Sequence, residues 1–206
     1  MGDIRRELPG GCYVEYEVGF LGDAQAKILL AALLRELTWE AREIVLFGKP
    51  ILQPRLIAWA GSVDYRYSGQ TLEARSAPQA LTDVIGLVVR RTGVAFNHVL
   101  VNRYRDGKDS MGFHADDEPE LGPNPTVASL SLGAPRRFVL VARRGKKERI
   151  EYRLQHGTLL VMGGRFQECY RHGIPKEPAV REERVSLTFR KIGSLTQPRP
   201  NSSDGH

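Results

Sequence analysis

From residue 96 to residue 192 the chain is a succession of short alternating segments with no helical stretch between them. "FNHVLVNRY", "TVASLSLG", "RRFVLVAR", "RIEYRLQ", "GTLLVMGG", "CYRHGIP" and "RVSLTFRKI" follow one another. Turn-forming stretches such as "RDGKD", "GPNP", "RRGKK", "QHG" and "PKEPAV" separate them. Many short strands punctuated in this way predict an antiparallel sandwich or jelly roll. Upstream, apolar residues at helical spacing (Ile28, Leu29, Ala32, Leu33) predict a helix over about 24–37, with Asp23 as its cap. A second helix is expected over about 78–92, with Pro78 in its first turn and Leu81, Ile85, Val88 and Val89 as its apolar stripe. Residues 1–22 read as an irregular or extended lead-in, and 41–73 as short strands and turns. The expected class is therefore α+β, mainly β: a double-stranded β-helix, or jelly roll, with N-terminal helices packed beside it. The length of 206 residues suits one domain, about 1–195, followed by a Pro- and Ser-rich tail over 196–206 that is expected to be disordered.

Composition narrows the function classes. No apolar run is long enough for a membrane helix, and "MGDIRRELPGG" has no apolar core of a secretory signal. Two cysteines, Cys12 and Cys169, make neither a disulfide framework nor a cysteine-rich zinc site. The expected setting is soluble and intracellular: cytoplasmic in a bacterium, which is the favoured setting, and nuclear in a eukaryote. The net charge of +6 suits a polyanionic partner. Arg136, Arg137, Arg143, Arg144, Lys146, Lys147 and Arg149 cluster, as either a solvated hairpin loop or a rail for phosphates.

The stretch "MGFHADDEPEL" (111–121) carries the chemistry. His114 and Asp116 form H-x-D, and on a strand end residues i and i+2 point the same way. Alone, such a pair is usually a solvated loop. His172 in "CYRHGIP" supplies a third arm, and two histidines with one carboxylate make the facial triad of non-haem Fe(II) oxygenases. In "RVSLTFRK", Arg184 and Arg190 are six positions apart on one expected strand and share a face. Buried arginines are costly unless they meet anions, and a guanidinium fork suits a carboxylate. Asn102 and Tyr104 in "VNRYRDG" also share a face and can donate hydrogen bonds to the same acid.

With these residues assembled, the chain resembles the AlkB family of Fe(II)/2-oxoglutarate dioxygenases, most nearly its duplex-DNA alkylation-repair members. The likeness rests on "NRY", "FHADDE", "ASLSLG", "RRFVL", "HGTLLVM", "HGIP" and "RVSLTFRK", in order. It implies a jelly-roll core over about 96–192 and a nucleotide-recognition lid over about 40–73. It implies His114, Asp116 and His172 as catalytic iron ligands, and Asn102, Tyr104, Arg184, Ser186 and Arg190 as 2-oxoglutarate contacts. Ser186 stands where the family usually has Asn. For the substrate, it implies Asp117 and Glu118 in the base pocket and Phe47 as the wedge that fills the gap left by a flipped base, with Val45 and Leu46 beside it. Tyr67 would sandwich the base, with Tyr65 on the same strand face and Arg55 near the nucleic-acid strand. The implied activity is oxidative demethylation of 1-methyladenine and 3-methylcytosine in DNA, with Fe(II), 2-oxoglutarate and O2 consumed or bound and formaldehyde released. The alternatives are the same chemistry on RNA and an oxygenase acting on a protein. A monomer is expected.

Overall fold

The computed structural model describes residues 4–46, 49–67, 69–144 and 148–193. The expected wedge Phe47, Lys146, Lys147 and the tail lie outside the described residues, as do the side chains of Val45, Leu46 and Tyr67. Fifteen strands are described. The first seven are β1 (Ile4–Leu8), β2 (Cys12–Glu17), β3 (Glu43–Leu46), β4 (Lys49–Leu52), β5 (Leu56–Gly61), β6 (Tyr65–Tyr67) and β7 (Gln70–Leu72). The body follows with β8 (His98–Tyr104), β9 (Met111–His114), β10 (Val127–Gly133), β11 (Arg136–Ala142), β12 (Arg149–Leu154), β13 (Thr158–Gly164), β14 (Tyr170–Ile174) and β15 (Arg184–Arg190). Three helices, α1 (Asp23–Glu36), α2 (Gln79–Thr92) and the single turn α3 (Phe166–Cys169), with a 3-10 turn over Pro119–Leu121, complete the described elements.

The strands build two antiparallel sheets. The major sheet has the order β1-β2-β13-β10-β15-β8-β5 and the minor sheet β12-β11-β14-β9. Period-2 alternation explains why the central strands read as almost wholly apolar, because both of their faces are covered. Val99, Val101, Leu130, Val185, Leu187 and Phe189 point outward from the major sheet onto Leu29 and Leu33 of α1 and Leu81, Val84 and Val88 of α2. Val127, Leu160 and Met162 point inward and meet Phe138, Leu140 and Ile150 of the minor sheet. Each such leucine, fully buried, contributes about 1.5–3 kcal/mol. The jelly-roll expectation holds, with the helices packed on one face.

Several local expectations are corrected. Asp23 is the first residue of α1, not its cap. Gly22 holds the cap position without a side-chain bond, and the Asp23 carboxylate lies 2.7 Å from Lys27 Nζ, one turn on. Ile28, expected in the apolar stripe, is 71% exposed, and Ala26 takes its place in the buried set. Pro78 is the N-cap of α2 rather than a first-turn residue, and the helix ends at Gly93 in the left-handed region (φ 70°) that glycine tolerates. The lead-in is more than extended chain: β1 and β2 form a hairpin whose second strand pairs with β13 (Val161↔Glu15, Met162↔Val14). Between α1 and α2, β5 joins the major sheet beside β8, whereas β3–β4 and β6–β7 are separate two-stranded hairpins. No described helix is long and apolar enough to cross a membrane.

Candidate metal centre and adjoining anion pocket

Strand pairing brings the two histidines together. His114 ends β9 and His172 lies directly opposite it on β14, so their side chains leave the sheet on one face, ring centroids 4.3 Å apart. Asp116 lies two residues past His114. Its backbone N–H donates to Gln167 Oε1 at 2.9 Å, which fixes the H-x-D turn to α3. One ligand atom from each of His114, Asp116 and His172 lies within 4.8 Å of the others.

The chemistry of this donor set fits a divalent metal. Asp116 is fully buried, and its two oxygens are divided between tasks. Oδ1 accepts from Arg190 Nη2 at 2.6 Å and Nε at 3.2 Å. Oδ2 has no hydrogen-bond partner among the described residues and lies 3.5 Å from His172 Nε2. Burial would raise the Asp116 carboxyl, but Arg190, with His172 and His114 behind it, outweighs burial and holds it well below the usual carboxylate range. Burial, reinforced by His114, pushes the His172 imidazole down to about 3, and burial lowers His114 as well. Both rings are therefore neutral near pH 7, the form that ligates metal. His114 Nδ1 lies 2.9 Å from the Gly112 carbonyl, which can only accept, so Nδ1 carries the proton and Nε2 is left as the ligand atom.

Beside this centre, β15 carries Arg184 and Arg190 on one face. Register sets Arg184 opposite Tyr104 and Ser186 opposite Asn102. Arg184 is 1% exposed. Its Nη2 donates to Ser131 Oγ at 2.8 Å and Ser186 Oγ at 3.2 Å, while Nε and Nη1 have no partner among the described residues. Its guanidinium lies 5.1 Å from the Tyr104 ring centroid. No carboxylate among the described residues lies within ion-pairing distance, and burial lowers the proton affinity of this cation. Unused N–H donors on a buried cation suit an anionic partner such as a carboxylate. Asn102, Tyr104, His114, His172, Arg184 and Arg190 line one pocket, so this cation and the metal centre share a cavity. Ser186, shorter than Asn, works within a row: its Oγ meets Ser129 Oγ at 3.3 Å as well as Arg184.

The expected base-contacting residues fall less uniformly. Asp117 is exposed and accepts from Arg143 Nη1 at 2.8 Å. Glu118 faces Tyr65 and Arg190, and burial, ahead of the opposing pull of Arg190, raises its carboxyl. Tyr65, expected beside a base, is instead fully buried, its ring edge-on to His98 (4.9 Å) and 5.7 Å from the Arg190 guanidinium. Arg55, expected near a nucleic-acid strand, is instead buried and donates through Nε to Asn102 Oδ1 at 2.7 Å. Three arginines of the basic cluster are engaged within the protein. Arg136 is fully buried, its guanidinium donating to the carbonyls of Asp106, Asp109 and Pro175 and to Glu177. Arg137 pairs with Glu151 and Glu177, and Arg143 with Asp117. Sequence reasoning missed Gln167 and Ser131. Nothing in "GGRFQEC" marks the glutamine, whose role exists only once α3 packs against the H-x-D turn.

Comparison with known proteins agrees with this geometry. A family model described as the 2OG-Fe(II) oxygenase superfamily matches residues 14–190. The chain is 39% identical over 183 residues to the alpha-ketoglutarate-dependent dioxygenase alkB homolog 3 of Rattus norvegicus, covering 84% of this chain. It spans 62% of that relative's length. It is 38% identical over 202 residues to the DNA oxidative demethylase ALKBH2 of Mus musculus, covering 92% of this chain and 84% of that one. A solved structure titled "The structure of OsALKBH1" superposes with a TM-score of 0.65 at 18% identity, over 90% of this chain and all of that one.

Proposed function

We propose, from the premise that the chain belongs to the 2OG-Fe(II) oxygenase superfamily and to the AlkB homologues within it, that it oxidatively demethylates N-methylated bases, 1-methyladenine and 3-methylcytosine, in DNA. The observation that carries the reading is Arg184: a buried cation with unused donors, in one pocket with the two histidines of a His-Asp-His centre. Such a pair of subsites suits a ferrous ion and the far carboxylate of 2-oxoglutarate. The names of the similar proteins supply the substrate class.

His114, Asp116 and His172 are assigned as the ligands of Fe(II). When bound, the iron with 2-oxoglutarate and O2 supplies the oxidation of the N-methyl carbon, with succinate, CO2 and formaldehyde as products. The chain's own residues bind and orient. Arg190 takes one oxygen of Asp116 and so leaves the other directed at the metal. Gln167 holds the Asp116 backbone, and Gly112 holds the His114 ring. Arg184, with Asn102 and Tyr104 beside it, receives the distal carboxylate. Arg55 acts as a positioning residue, since its bond to Asn102 Oδ1 directs the amide N–H2 into the pocket. Glu118, beside Tyr65 and Arg190, is read as accepting a hydrogen bond from an exocyclic amine. Asp117 orients Arg143. The hairpins β3–β4 and β6–β7, apart from both main sheets and with Ile51 and Leu52 exposed, are read as the lid that receives the base.

The test offers methylated DNA, methylated RNA of the same sequence and an unrelated peptide mixture to the enzyme side by side, and measures formaldehyde released. The reading expects release from DNA above RNA and none from peptide. Release from peptide alone, with succinate formed throughout, would keep the oxygenase and overturn the nucleic-acid substrate.

A further inference from the structure

Cys12 and Cys169, far apart in sequence and the only cysteines of the chain, meet in space. Cys12 opens β2 opposite Gly164, and Cys169 ends α3. Between them lies Gly10, whose left-handed backbone (φ 85°) turns its bare face toward both sulfurs. A β-carbon built there would lie 2.9 Å from Cys169 Sγ and 3.8 Å from Cys12 Sγ. The Cys169 thiol also lies 3.9 Å from the Gly10 carbonyl. The two sulfurs differ in access. Cys12 is fully buried, and burial, followed by the neighbouring Cys169 thiol, pushes its thiol up to about 12. Cys169 is half-exposed and opens onto a surface cleft of about 970 Å³ that Arg143, Arg144 and Arg165 also line.

We propose that Cys12 and Cys169, converging on the bare face of Gly10, form a reversible dithiol–disulfide site that a peroxide oxidises. The accessible sulfur reacts first: Cys169 Sγ attacks the peroxide O–O bond, giving a sulfenic acid and water. Cys12 Sγ then attacks the Cys169 sulfur and displaces hydroxide, which takes the Cys12 proton and leaves as a second water. Two thiols are oxidised by two electrons and one peroxide is reduced. The bond ties the N-terminal hairpin to α3, the element whose Gln167 holds Asp116. The assignment rests on the sulfurs alone and is independent of the substrate reading.

The test treats the full chain with a small excess of hydrogen peroxide in the presence of a metal chelator, then maps peptides without reduction. The expected result is one cross-linked peptide joining Cys12 to Cys169, both titratable thiols lost, and both restored by dithiothreitol. In Cys12→Ser, dimedone should trap Cys169 as a sulfenic acid; in Cys169→Ser, Cys12 should stay reduced over the same time. Thermal melts of both variants confirm folding. The proposal is overturned if both thiols of the native protein survive, if Cys169 forms sulfinic acid or an intermolecular dimer instead, or if Cys12 in Cys169→Ser oxidises as fast as in the parent.

Discussion

Replacing Arg184 by methionine should weaken co-substrate binding while leaving stability nearly unchanged. In the protein without co-substrate, Arg184 is a fully buried cation with no acid partner among the described residues, held by two serine hydroxyls. Methionine of similar reach removes an uncompensated buried charge. Such replacements are neutral or stabilising by about 1–4 kcal/mol. Against that stand two lost hydrogen bonds to hydroxyls, about 1 kcal/mol each. The net expectation is a change between about −2 and +2 kcal/mol, hence a melting point within a few degrees of the parent's. The loss of 2-oxoglutarate binding should be clear, because a charge-assisted hydrogen bond to a carboxylate is worth about 1.5–3 kcal/mol. The KM for 2-oxoglutarate should rise by a factor of about 10 to 100. Differential scanning fluorimetry with and without 2-oxoglutarate, alongside succinate kinetics, reads both effects. Added 2-oxoglutarate should raise the melting point of the parent and leave that of Arg184→Met unmoved. A variant that melts well below the parent yet keeps the parent's KM would refute the assignment of Arg184 as a carboxylate cradle.

Three further outcomes are expected. Asp116→Asn should lose iron binding and also destabilise the fold by about 1.5–3 kcal/mol, because it replaces charge-assisted hydrogen bonds to Arg190 in the core by neutral ones; metal titration and urea unfolding measure the two losses. Gln167→Leu should lower metal affinity about 10- to 100-fold and lower the melting point by a few degrees, since it leaves the buried Asp116 N–H without its acceptor while removing no ligand; a metal competition assay and a thermal melt read the two effects. Burial, with Arg190 adding to it, pushes the His98 imidazole down to about 3 from 6.5. The unfolded chain therefore takes up a proton below pH 6.5 that the folded chain refuses, so this contribution to stability is present above pH 6.5 and is lost as pH falls toward 3. His98→Leu should flatten the stability–pH slope in that window by about 1.4 kcal/mol per pH unit. An unchanged slope in urea melts at pH 4 to 6 would remove His98 from the account.

What the sequence made legible was the chemistry that local periodicity can carry. His114 and Asp116 are an i, i+2 pair, and Arg184 and Arg190 lie an even number of residues apart on a strand, so a shared face follows from the pleat alone. The jelly roll was legible because strand–turn alternation needs no knowledge of partners. Other features depend on what packs where. Tyr65 and Arg55 are polar residues in a segment that reads as an exposed lid, and only the placement of β5 beside β8 buries them. Arg136 looks like its basic neighbours in sequence, but three backbone carbonyls from distant loops enclose it. The N-terminal hairpin reads in the sequence as irregular or extended chain, because its pairing with β13 joins residues far apart in sequence. Ile28 misleads in the opposite sense: it fits helical spacing, yet among the described residues nothing covers α1 on that side.

The central claim is that this chain removes methyl groups from bases by an iron- and 2-oxoglutarate-dependent oxidation. Mass spectrometry of single- and double-stranded oligonucleotides carrying 1-methyladenine or 3-methylcytosine, incubated with Fe(II), 2-oxoglutarate and ascorbate, tests it most directly. The account predicts loss of one methylene mass from the lesion strand, dependent on 2-oxoglutarate and abolished in His172→Ala. An unchanged lesion mass with succinate still formed, or a mass loss that persists in His172→Ala, would contradict it.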